Sequence, residues 1–62
     1  MKKHQVIAHL KGCIHDLLEH RQVKEAREFA QDAAQFCRDL GWSGAAGLFA
    51  ACVASLTGEE IQ

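Results

Sequence analysis

Four side chains that can bind a metal ion or transfer a proton follow one another at helical spacing early in the chain. At positions i, i+4, i+7 and i+11 they are His9, Cys13, Asp16 and His20. Side chains four residues apart on a helix lie about 6 Å apart, so two neighbours in this row can share a metal ion. The whole row is about 16 Å long, which is too long for one ion. A site would use His9 with Cys13, or Asp16 with His20, completed by a second subunit.

This row supports an alternative function, a metal- or redox-responsive protein that uses His9 and Cys13. The leading interpretation of these residues is structural, because histidines at the border of an apolar helix face are commonly solvated and core-facing cysteines behave as small hydrophobes. The sequence contains no Cys-x-x-Cys pair, no Gly-rich phosphate loop and no interpretable nucleophile with a base. We therefore predict that the protein is not an enzyme and has no cofactor and no resident metal.

The elements that must position these groups are three helices. Apolar residues of the first segment fall within an arc of about 140°, and the second segment has a broad apolar side rich in alanine. The apolar stripe resets near residues 20–22, which predicts an antiparallel hairpin, and Gly41 suits a left-handed C-terminal cap. The sequence predicts one domain, residues 1–62, with helices at about 3–20, 22–40 and 43–56. The fold class is all-α, with the hairpin and a buried third helix.

The third segment is unusual because residues 40–58 contain no charged side chain, while the preceding residues are densely charged. A helix without a polar side is normally enclosed by other helices. Its bulky residues form one half, which we expect to pack on the hairpin. Its small residues form the other half, for which we expect close contact with a second copy in a homodimeric helical bundle. The predicted interface consists of Gly44, Gly47, Ala50, Ala51, Ala54 and Ser55.

The length of the chain also favours self-association. Folding 6.8 kDa buries roughly 5,900 Å², of which about 60% apolar area contributes roughly 90 kcal/mol at about 25 cal/mol per Å². Ordering 62 residues costs about the same at about 1.5 kcal/mol each. A single copy is therefore marginally stable, and a second copy is the simplest source of further burial.

The charge and the cysteine content of the chain limit which partners and which cellular compartment we expect. A net charge of −1 weighs against nucleic acid, and three cysteines without an export sequence favour the cytoplasm. The third helix, about 21 Å long, is short for a hydrocarbon core of about 30 Å, so a membrane-active helical peptide is only the second alternative. Trp42, between the second and third helices, is the candidate anchor for another protein. The predicted function is a non-catalytic adaptor or regulatory module that binds itself and another protein.

Overall fold

The computed structural model describes residues 2–61, and the side chains of residues 2–58. Three helices follow one another: α1 (Lys3–Glu19), α2 (Val23–Asp39) and α3 (Ser43–Ile61). Over this described range there is no β-strand, so the predicted all-α class is confirmed. Met1 and Gln62, which the predicted domain includes, lie outside the described residues.

The turn between α1 and α2 is closed by two main-chain hydrogen bonds. The N–H of Arg21 donates to the carbonyl of Leu18 at 3.0 Å, and the N–H of Gln22 donates to Leu17 at 2.8 Å. This pair of bonds is the Schellman arrangement, which satisfies carbonyls left without partners at a helix end. It places Arg21 in the left-handed region, with φ of 60°. The break therefore falls where the apolar stripe resets in the sequence.

The turn between α2 and α3 repeats the same arrangement. Gly41 donates to Arg38 at 3.0 Å and Trp42 donates to Cys37 at 2.8 Å, with Gly41 at φ of 79°. The predicted left-handed cap at Gly41 is confirmed. Because the carbonyl of Trp42 accepts from Ala46 at 2.9 Å, α3 begins with Ser43 as its first helical residue.

The centre of the molecule is built from small side chains of α2. Alanine side chains let a neighbouring helix approach closely, and α3 makes the most extensive contact with α2. The contact of α1 with α2 is smaller, and α1 touches α3 least. Phe49 of α3 is fully buried and belongs to the same core cluster as these alanines. The core residues are Ile14, Ala26, Ala30, Ala33, Ala34, Cys37, Ala46, Phe49 and Leu56.

Two features differ from the expectation from sequence. α3 continues to Ile61 instead of stopping near Leu56, and the Thr57 hydroxyl donates to the carbonyl of Val53 at 2.8 Å, which satisfies the hydroxyl within the helix. The broad apolar side predicted for the second helix includes Phe36 and Leu40, yet these two residues are 47% and 50% exposed. The neighbouring helices cover the alanine-rich centre of the apolar side of α2 and leave these two residues at its end uncovered.

Within the described residues, none of the three helices combines the length and the apolar character that crossing a lipid bilayer requires.

Candidate functional site

A groove opens between α1 and α3 because both helices pack on α2 and hardly touch each other. It consists of two adjoining cavities of about 220 and 270 Å³ that share Ile14, Leu18 and Cys52. We call this feature the α1–α3 groove. Its complete lining is Lys11, Ile14, His15, Leu18, Leu48, Phe49, Cys52, Ser55 and Leu56.

The chemistry of the groove suits an apolar side chain. Among the lining residues, only Lys11 and His15 can carry positive charge, and both are exposed on the α1 side. The His15 Nδ1 atom lies 3.5 Å from Glu19 Oε1, so this imidazole has an acidic neighbour on its own helix. The α3 side contributes aliphatic, aromatic, thiol and hydroxyl groups. The groove is therefore an apolar slot with a basic edge along α1.

The predicted interface on α3 lies at the surface of the single chain. All six residues are exposed, and a Cβ atom built on Gly44 or Gly47 meets no atom within 4 Å. We call them the small face of α3: Gly44, Gly47, Ala50, Ala51, Ala54 and Ser55. The opposite half holds the buried residues Ala46, Phe49 and Leu56. The division of α3 by side-chain size is thus visible in its burial, while the contact with a second copy stays a prediction.

Leu48 does not follow the expectation that the bulky half of α3 packs on the hairpin. Its size assigns it to that half, yet it is 42% exposed and lines the α1–α3 groove. On a helical wheel Leu48 lies at the boundary between the two halves, four residues after Gly44 and seven before Ser55. That boundary position was the available signal.

The row of potential metal ligands on α1 divides into two different pairs. His9 Nε2 lies 3.8 Å from Cys13 Sγ, so these two predicted ligands are brought together. The Nδ1 atom of His20 instead lies 2.7 Å from the main-chain carbonyl oxygen of Asp16, so this imidazole bonds to the backbone of its own helix. The geometry therefore favours His9 with Cys13 over Asp16 with His20.

A further group on α1 was not identified from the sequence. Ligand atoms of His15, Asp16 and Glu19 lie within 4.8 Å of one another, and all three residues are exposed. Their spacing, i, i+1 and i+4, places them on one turn and was the available signal. Exposed acidic groups commonly cluster in this way without an ion, so the group by itself identifies no site.

Trp42 closes one end of the molecule. Its ring centroid lies 6.3 Å from that of Phe36 with an interplanar angle of 82°, an edge-to-face pair. Lys3 Nζ lies 5.7 Å from the centroid of the Trp42 ring, within the range of a cation–π contact. Trp42 is half-buried against the core, and the exposed side chains of Phe36 and Leu40 belong to the same end of α2. The structure therefore gives Trp42 a packing role, and its role as a partner anchor stays a prediction.

The chain was compared with protein-family models, with curated proteins and with solved structures, and none of them matches it significantly.

Proposed function

We propose that this protein is a non-catalytic helical interaction module that acts as a homodimer in the cytoplasm and serves as an adaptor for another protein. The observation that carries the proposal is the small face of α3, which is exposed and uncharged in the single chain. A solvated helix face normally carries Lys or Glu, because charged side chains interact favourably with water. None occurs on this face in about four turns, which supports its burial against a second copy.

The way α2 meets α3 within one chain supports the same mode of contact between chains. Helix α2 carries buried alanines such as Ala26 and Ala30, and its contact with α3 is the most extensive in the molecule. The small face of α3 offers residues of the same size at helical spacing, so a second helix can approach it equally closely. In the proposed assembly α1 and α2 form an antiparallel hairpin, and the two α3 helices meet at the centre of a symmetric bundle.

Light scattering across a dilution series tests the homodimer. The wild-type mass should fall from two chains to one on dilution, and Ala51→Glu should remain a single chain throughout because two buried carboxylates would face each other. Ala8→Glu is the matched control, since Ala8 is exposed on α1 and does not line the groove. A wild-type chain that is monomeric and stably folded at millimolar concentration would contradict the proposal.

The adaptor role is assigned to the end of the molecule around Trp42. Tryptophan is enriched among the residues that dominate interface energy, and Trp42 lies half-buried at the end of the molecule where Phe36 and Leu40 are exposed. A Leu40→Glu variant should keep its fold and its dimer, because Leu40 is half-exposed. In a pull-down from a lysate of the host, the variant should no longer recover the proteins that bind to the wild type. Equal recovery of those proteins by the variant and the wild type would exclude this surface.

The second candidate function, a metal-responsive protein, is favoured by one distance. A tetrahedral Zn²⁺ with a thiolate at about 2.3 Å and an imidazole at about 2.05 Å separates their ligand atoms by about 3.6 Å. His9 Nε2 and Cys13 Sγ lie 3.8 Å apart, close to that separation. In calorimetric titration, micromolar Zn²⁺ binding that is lost in both His9→Ala and Cys13→Ser, and kept in the control His15→Ala, would support this function. No heat at micromolar metal would remove it.

A further inference from the structure

Leu48 and the α1–α3 groove form a complementary pair on one surface. Leu48 is the one large hydrophobic residue of α3 that is exposed among the described side chains, with 42% of its area accessible. Leu48 stands at the edge of the groove, whose lining also includes the apolar residues Ile14, Leu18 and Cys52. Each copy of the chain therefore presents both an apolar projection and an apolar recess. A symmetric dimer requires such a self-complementary surface.

The register of α3 permits both contacts to form at once. Leu48 and Ser55 are seven residues apart, so they lie on the same side of the helix. In an antiparallel pair with a two-fold axis between Ala51 and Cys52, position 48 of one helix lies level with position 55 of the other. Ser55 belongs to the mouth of the groove, beside Leu18. In this arrangement the Leu48 side chain of each subunit lies next to the α1–α3 groove of the other subunit.

We propose that Leu48 of each subunit docks into the α1–α3 groove of a second copy. This inference rests on the homodimer proposed above and specifies its geometry. The charge distribution favours a second copy as the occupant, because residues 40–58 bring no charge to the contact and the only groove-lining cation-forming groups, Lys11 and His15, lie on the exposed α1 edge. Two such surfaces meet without burying an unpaired charge.

The test compares two leucines of similar exposure, Leu48 at 42% and Leu40 at 50%. In sedimentation velocity across a concentration series, Leu48→Ala should weaken the dimer by about 30-fold, because each dimer loses two newly buried leucine side chains. Leu40→Ala should change the dissociation constant by less than about threefold. A wild-type dimer that Leu48→Ala weakens no more than Leu40→Ala would overturn the docking while leaving the homodimer intact.

Cross-linking measures the register independently of affinity. An Ala51→Cys variant should form an intermolecular disulfide under mild oxidation, because the two-fold axis brings the introduced thiols within the Cα separation of about 4.4–6.8 Å that a disulfide needs. Peptide mapping distinguishes this link from links through the native cysteines, and Ala8→Cys is the control on α1. A dimer in which the two introduced thiols at position 51 do not link would also overturn the docking. A chain that is monomeric at every concentration would overturn the homodimer itself.

Discussion

Arg21 and Gly41 occupy the same left-handed position in two successive helix-ending turns, with φ of 60° and 79°. Each N–H donates to the carbonyl three residues earlier at 3.0 Å, and the turns lie 20 residues apart. Glycine adopts this conformation without steric cost, whereas an L-residue with a Cβ atom is strained by about 1 kcal/mol or more. The two turns therefore share their geometry and differ in backbone strain.

Exchanging residue types at these positions should have opposite effects. Arg21→Gly should raise the free energy of unfolding by about 1 kcal/mol, and Gly41→Ala should lower it by about 1–2 kcal/mol. A Cβ atom built on Gly41 meets nothing within 4 Å, so the cost there is one of backbone conformation alone. Urea unfolding followed by Trp42 fluorescence, at one fixed protein concentration, measures both. Changes in the unfolding free energy of the same sign for both variants would mean that at least one of the two turns has a different backbone conformation in solution.

Phe49 and Phe36 should respond very differently to truncation. Phe49 is fully buried in the core, so Phe49→Ala should cost about 3–5 kcal/mol through lost burial and a cavity. Phe36 is 47% exposed and forms an edge-to-face pair with Trp42, so Phe36→Ala should cost about 1 kcal/mol. Thermal and urea unfolding of the two variants give the comparison. Equal losses would show that Phe36 is covered in the native assembly.

Enlarging a core alanine tests how closely α2 packs against its neighbouring helices. Ala30 is completely buried, and Ala30→Leu should destabilise the protein by about 1–3 kcal/mol because the added atoms have no space. Ala8→Leu, the same substitution on the exposed side of α1, should change stability by less than about 0.5 kcal/mol. A tolerated Ala30→Leu would indicate a looser interface than the structure contains.

Substitutions at two exposed glycines distinguish a chain that stays monomeric from the proposed dimer. Gly12 and Gly47 both lie in helices, and a Cβ atom added to either meets nothing within 4 Å, so each Gly→Ala should stabilise a lone chain by about 1 kcal/mol. If a second copy approaches the small face of α3, Gly47→Ala places a methyl group in that contact. We therefore expect Gly12→Ala to raise the unfolding free energy and Gly47→Ala to gain less and weaken self-association. Denaturant unfolding and sedimentation velocity measure the two effects. Identical gains, without a change in dimer affinity, would count against a close α3 contact.

The sequence by itself determined the local structure. Apolar periodicity identified three helices, and its reset near residues 20–22 identified the first turn, since the phase of a stripe depends only on which residues follow one another. Gly41 marked the second turn by residue type. Arg21 gave no comparable signal, because its left-handed conformation is imposed by the hydrogen bonds of the turn. The small face of α3 was also evident from residue size alone.

Only the tertiary structure decided which helix packs against which. The alanine-rich side of α2 accepts α3 most closely, so α1 and α3 hardly touch and the α1–α3 groove remains between them. The exposure of Leu48, Phe36 and Leu40 follows from this packing of the helices. The sequence pattern of a single helix does not predict that exposure. The physical reason is that helical periodicity specifies an apolar side, while the neighbour that covers it depends on the fit of side chains distant in sequence.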